Sequence, residues 1–163
     1  MKATITFDFD ESLQSALANI ITKGTGTIAE TPAEKPAEIV TPAFEDGKFI
    51  GARVCIGGED FIIAPKDYRD GKEMPWQEAM DALKADNLST WNYRQICLTM
   101  AYRKEVDKVL VDNGGDSLDN WYWTCAEYSA YHSFTYYGTG GKLDNNGKKR
   151  AYSVRPIKNL KNK

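Results

Sequence analysis

The chain has 163 residues, a formal charge of −2 and hydrophobic and charged contents of 42% and 27%, which suits one globular domain with an appendage. This balance excludes a global field for nucleic acid or membrane, although residues 1–47 carry eight acids and three bases while residues 142–163 carry eight bases and one acid. Met1 to Asp10 is acidic and alternating, without the apolar run of a secretory leader, and no segment is apolar for long enough to span a bilayer.

In chain order, Thr4 to Phe9 alternates as a short strand does. Asp10-Glu11-Ser12 then starts a helix with Leu13, Ala16, Leu17 and Ile20 or Ile21 at helical spacing. This piece is too small to make its own core. Residues 1–22 therefore read as an anchor or oligomerisation segment, with packing onto the main domain as the alternative. Residues 23–43 shift to Gly, Thr, Ala, Pro and Glu, the composition of an extended linker. Residues 44–163 remain for the folded domain.

Within that domain, Phe49–Val54 and Asp60–Ala64 read as strands joined through Gly57-Gly58. A helix is expected over Trp76–Leu83, opened by Pro75, with Trp76, Ala79, Met80 and Leu83 on one stripe. A second helix is expected over Tyr93–Leu110, its stripe drawn from Ile96, Cys97, Met100, Val106 and Leu110. Two helices among short antiparallel strands give an α+β class. Asp112 to Asn120 offers oxygen donors of the kind calcium takes. The spacing misses the EF-hand register and lacks its closing Glu, so an acidic turn without metal is expected.

The informative stretch runs from Trp121 to Ile157. It opens on Trp121-Tyr122-Trp123, and five of the nine tyrosines (Tyr128, Tyr131, Tyr136, Tyr137, Tyr152) follow among Ser, Thr, Asn and Gly. Tyr supplies rigid contact area at low entropy cost, and the small polar residues adaptable hydrogen bonds, as in a paratope. A Tyr-rich edge hairpin that merely packs is the structural alternative. Ser133 to Tyr137 alternates, placing Phe134 and Tyr136 on one face and Thr135 and Tyr137 on the other. Gly138 to Gly141 reads as a turn, Asp144-Asn145-Asn146-Gly147 as a second hairpin tip, and Ala151 to Val154 as a strand ended by Pro156.

Tyr122-Trp123-Thr124-Cys125-Ala126-Glu127 resembles the YW[ST]STE motif of a bacterial and phage group within the C-type-lectin-like (formylglycine-generating-enzyme-like) fold, and Val154-Arg155-Pro156-Ile157 resembles its terminal VRPV. Gly58 to Asp67 and Met74 to Met80 are similar to its G-x-x-I-I-A-x-x-D and M-x-W-x-E-A-M segments. Cys125-Ala126 stands in place of the motif's Ser-Thr, and Leu88-Ser89-Thr90 in place of Leu-Pro-Thr. The group includes the variable proteins of diversity-generating retroelements, in which codons of the last strands are rewritten. The resemblance implies a C-type-lectin-like ligand-binding domain. Tyr128, Tyr131, His132, Thr135, Tyr137, Lys142, Asp144, Asn145 and Asn146 would face the ligand, on a frame of Trp123, Phe134, Tyr136, Leu143 and Arg155. It further implies a non-enzymatic recognition protein on a phage particle or bacterial surface, with a host-surface glycan or protein as partner. No nucleic-acid partner, membrane insertion or cofactor is expected. A structural virion subunit is the alternative in another class.

Catalytic signatures are sparse. His132 is the single histidine and has no Ser/His/Asp order around it, so it reads as a contact residue. Gly138-Thr139-Gly140-Gly141 precedes no helix and reads as turn chemistry, not a phosphate loop. Glu127 holds a fixed position of the motif and reads as structural. Formylglycine-generating enzymes supply the enzyme alternative through cysteines near their groove. Cys55, Cys97 and Cys125 are odd in number and lack metal spacing, and they read as buried, reduced thiols.

Overall fold

The computed structural model describes residues 38–160, all within the second of two contact units, Ala37–Lys163. The expected strand and helix before residue 22, and the linker as far as residue 37, lie outside the described residues. The linker expected to reach residue 43 ends earlier. Val40–Glu45 forms strand β1, in which Val40, Thr41, Pro42 and Ala43 pair with Val54, Arg53, Ala52 and Gly51 of β2, Lys48–Ile56. Pro42 hid this strand from composition, yet an edge position tolerates a residue without an N–H.

The described unit is α+β. A four-stranded antiparallel sheet has the order β1-β2-β3-β9, with β3 at Glu59–Ile63 and β9 at Ile157–Asn159. Tight turns at Asp46-Gly47 and Gly57-Gly58 have both central φ positive, the geometry that matches strand twist in a two-residue hairpin. Gly51 has a different duty: a Cβ there would sit 2.0 Å from the Ile63 carbonyl oxygen, so only glycine lets β2 and β3 approach. A second, two-stranded sheet joins β4, Met74–Pro75, to β8, Ala151–Tyr152. A third has the order β5-β6-β7, built from Trp121–Glu127, His132–Tyr137 and Lys142–Gly147.

Helix α1 covers Trp76–Ala85 and buries Trp76, Ala79 and Leu83, much as the stripe predicted. The single helix expected over Tyr93–Leu110 is instead two, α2 at Tyr93–Ala101 and α3 at Arg103–Asp112. The break falls at Tyr102, whose ψ of 28° closes α2 while its carbonyl still accepts from Val106. No Gly or Pro marks the spot, so periodicity ran through it. Helix α2 opens with a capping box in which the Asn92 side chain accepts from the Gln95 N–H and Gln95 returns the bond.

Two apolar clusters fill the unit. One joins Ala52, Val54, Phe61, Ile63 and Ile157 of the large sheet to Trp91, Ile96, Val106, Leu110, Leu118, Tyr122 and Tyr136. The other joins Met74, Trp76, Ala79 and Leu83 to Tyr68, Trp123 and Val154. Strand alternation on β5 explains why the aromatic triplet exists: Tyr122 enters the first cluster and Trp123 the second, so β5 is buried on both faces. Cys55, Cys97 and Cys125 are free and exposed, which corrects the expectation of buried thiols. Cys55 and Cys97 each follow an inward residue, Val54 and Ile96, and turn outward by the period of their element.

Candidate ligand face on the three-stranded sheet

In the β5–β6–β7 ladder, Trp121 pairs with Tyr137, which pairs with Lys142; Trp123 pairs with Thr135, which pairs with Asp144; Ser133 pairs with Asn146. Directly paired residues share a face. Trp121, Tyr137, Lys142, Thr135, Asp144 and Asn146 therefore lie on one side of the sheet, with Tyr152 of β8 beside them. Tyr122, Tyr136, Leu143, Phe134 and Asn145 lie on the other, toward α2 and α3.

On the first side the aromatic rings are tightly organised. Trp121 stacks on Tyr137 at 4.7 Å between centroids and 17° between planes, and on Tyr152 at 5.6 Å and 24°. Trp123, fully buried, meets Tyr152 edge-on at 4.9 Å and anchors its indole N–H to the Met74 carbonyl at 2.8 Å. A Cβ on Gly140 would lie 2.6 Å from Cδ1 and 2.8 Å from Cε1 of Tyr137, so the turn glycine closes on that edge of the ring. Trp121, Tyr137 and Tyr152 each remain half-buried.

Polar groups border the stack. Lys142 Nζ lies 3.0 Å from Asp144 Oδ2, and the Asn145 N–H donates to Asp144 Oδ1 at 2.8 Å. The hydrogen bond from Lys142, aided by that backbone donor, holds the Asp144 carboxyl below its ordinary range. Arg150 donates to the Tyr152 hydroxyl at 3.4 Å. Lys148 pairs with Glu127 and lies 4.2 Å over the Trp76 ring.

The expected site residues are thus divided. Tyr137, Lys142, Asp144 and Asn146 share the face just described. Thr135 shares it too but is fully buried, its hydroxyl accepting from Asn146 Nδ2 at 2.8 Å, so it supports the face instead of presenting to a ligand. Asn145 falls on the opposite side, because the supposed tip Asp144–Gly147 is strand β7, paired along its length with β6. Phe134, expected in the core, is only half-buried and packs between Tyr93 of α2, at 4.9 Å, and Tyr128, at 5.5 Å. Tyr128 therefore belongs to that opposite side. Tyr131, 80% exposed, sits in the β5–β6 turn at the end of the sheet, and His132 opens β6, paired with Gly147 on the side of Phe134 and Tyr136. Ser129 holds that turn: its hydroxyl accepts from the N–H groups of Tyr131, at 3.2 Å, and His132, at 3.1 Å.

Three residues of the face, Trp121, Tyr152 and Arg150, were not singled out from the sequence. Trp121 and Tyr152 alternate with buried neighbours and carry a period-two signal that an exposed aromatic shares with a core one. Arg150 lies in a basic turn, and only the return of Tyr152 to the sheet brings it alongside.

A cleft of about 630 Å³ is lined by Lys66, Asp67, Asp70, Asp116, Asp119 and Arg155. Arg155 is fully buried and donates to Asp67 Oδ1 at 2.6 Å and to the carbonyls of Ala64, Asp116 and Ser117 at 3.1, 3.2 and 3.2 Å. The Asp116 and Ser117 carbonyls belong to the Asp112–Asn120 region read earlier as an acidic turn, and the arginine ties it to the end of β3 at Ala64. Among the described residues no group of three or more His, Cys, Asp or Glu is placed to hold a metal ion. None of the described helices is long and apolar enough to cross a membrane. A scan against protein-family models gives no match for the chain, and a comparison with curated proteins gives no relative.

Proposed function

We propose that the chain is a recognition protein without catalytic activity, whose C-type-lectin-like domain binds a host-surface glycan or protein while displayed on a phage particle or bacterial surface. The observation that carries this reading is the half-buried stack of Tyr137, Trp121 and Tyr152, held in place by Trp123 against Tyr152 and Gly140 against the edge of Tyr137, and bordered by Lys142, Asp144, Asn146 and Arg150. Rigid aromatics ringed by short polar side chains bind at low entropic cost, and the polar members can change without removing core volume. The YW, VRP and M-x-W resemblances support the same reading, since Trp123, Arg155 and Trp76 all serve as fixed supports. Rewriting of the codons for Tyr137, Asp144 and Asn146 by a retroelement is part of the proposal.

Binding of purified full-length protein to intact bacterial cells tests it. Saturable binding that protease or periodate treatment of the cells removes is the expected result. Absence of binding to a panel of candidate hosts, with the Tyr-rich face protected from labelling in an assembled particle, would point to the structural-subunit reading instead.

A further inference from the structure

Building on the reading of this face as the ligand site, we infer that it is shaped for a carboxylate-bearing glycan, with the Arg150 guanidinium as the partner of the carboxylate. The orientation of the rings is the first argument. Trp121 and Tyr137 are direct cross-strand neighbours whose centroids are 4.7 Å apart at 17°, about the spacing of the strands themselves. Rings lying flat side by side would overlap at that distance, so they stand upright on the sheet with faces together. Trp121 stacks on both Tyr137 and Tyr152, which cover its faces, and Gly140 closes on the Cδ1–Cε1 edge of Tyr137. The central ring, Trp121, therefore presents its edge, flanked by the two phenolic hydroxyls.

Edges carry the positive end of the aromatic quadrupole. They suit oxygen-rich, negatively charged groups, whereas a nucleic-acid base needs a free ring face on which to stack. The bordering groups of Lys142, Asp144, Asn146 and Arg150, with the tyrosine hydroxyls, offer hydrogen bonds and little apolar seat. A protein partner would instead look for a dry apolar centre. A polyhydroxylated ligand fits this surface better.

Charge fixes the sign. Bordering the face stand Lys142, Lys148 and Arg150 against Glu127 and Asp144. Lys142 is engaged by Asp144, and Lys148 by Glu127. No described carboxylate lies within ion-pair distance of Lys149 or Arg150. Arg150 gives one long hydrogen bond, 3.4 Å, to the Tyr152 hydroxyl, which leaves most of its donor fork for a bidentate partner.

Titration calorimetry of the full chain with polygalacturonate, neutral dextran, poly-glutamate and oligo-thymidine tests the inference. Polygalacturonate should bind and weaken with added salt, and dextran should not bind. Arg150→Gln should lower the polygalacturonate affinity about tenfold. Asp144→Asn, which removes the one repelling carboxylate of the stack, should raise it. Preference for poly-glutamate or oligo-thymidine, equal binding of dextran, or no binding of any probe would overturn the inference. So would an Arg150→Gln protein with unchanged affinity and melting temperature. If Tyr137→Ala abolishes cell binding while Arg150→Gln leaves it untouched, the acidic-glycan inference falls and the ligand face stands. If neither substitution affects cell binding, both fall.

Discussion

Arg155 Nε lies 2.6 Å from Asp67 Oδ1, an ion pair between a fully buried arginine and a carboxylate whose side chain is only 11% exposed. Asp67 Oδ2 in turn accepts from Asn120 Nδ2 at 2.9 Å. The pair joins the loop after β3, the acidic turn before β5 and the segment before β9, three regions with few apolar residues of their own. Buried charges tolerate this only when every donor is satisfied. Arg155→Met should therefore leave the Asp67 carboxylate buried without its counter-charge and cost about 3–5 kcal/mol by urea denaturation. The double variant Arg155→Met/Asp67→Leu should recover part of that loss.

Trp123 and Phe134 should separate cleanly in stability. Trp123 is fully buried against Met74, Trp76 and Val154, so Trp123→Ala should cost about 3–5 kcal/mol through lost burial and a cavity. Phe134 is half-buried between Tyr93 and Tyr128, and Phe134→Ala should cost distinctly less in the same denaturation experiment.

Gly140 positions Tyr137. Alanine there would bring a Cβ within 2.6 Å of the ring's Cδ1 edge, and sliding of the ring across Trp121 is the cheapest relief because Tyr137 is only half-buried. Gly140→Ala should shift tryptophan fluorescence and weaken ligand binding, with stability lowered by no more than the about 0.5–1.5 kcal/mol of an aromatic pair.

Acid sensitivity should have an identifiable contributor on the two central strands of the large sheet. Arg53 donates to both Asp60 oxygens, at 2.8 and 2.7 Å, and these bonds hold the Asp60 carboxyl below its ordinary value. The unfolded chain then binds the proton more readily than the folded one, so stability from this pair is complete above the ordinary carboxylate pKa of about 3.9 and is lost as pH falls through the depressed folded value. In denaturant titrations across acid pH, Asp60→Asn should flatten the stability slope below about pH 4 while leaving slopes near neutrality unchanged.

Much of the fold was legible where one period dominated. The stripe of Trp76, Ala79 and Leu83 gave α1, and Gly57-Gly58 between apolar runs gave the β2–β3 hairpin. The α2–α3 break at Tyr102 left no trace because no residue there breaks helical periodicity. β7 escaped because Asp144, Asn145 and Asn146 are turn formers held extended only by pairing with Thr135, Phe134 and Ser133. Thr135 looked outward by alternation, correctly as to side. It is buried because Trp123 and Asn146 close over it, a tertiary effect that strand period does not encode. Arg155 was legible as a frame residue through the VRP resemblance, but its five hydrogen-bond partners come from regions that periodicity does not connect.

Comparison of the two sides of the three-stranded sheet tests the central claim most directly. Affinity for intact host cells should be measured for the wild type, Tyr137→Ala and Tyr128→Ala, with melting curves for each. Tyr137 lies in the stack with Trp121, and Tyr128 packs on Phe134 on the other side, so each substitution removes one tyrosine from one side only. Tyr137→Ala should weaken binding by about 2 kcal/mol, roughly thirtyfold, as a central aromatic contact does, while Tyr128→Ala binds nearly as the wild type. A Tyr137→Ala protein that stays folded and binds cells as the wild type does, or a loss that falls on Tyr128→Ala instead, would contradict the account.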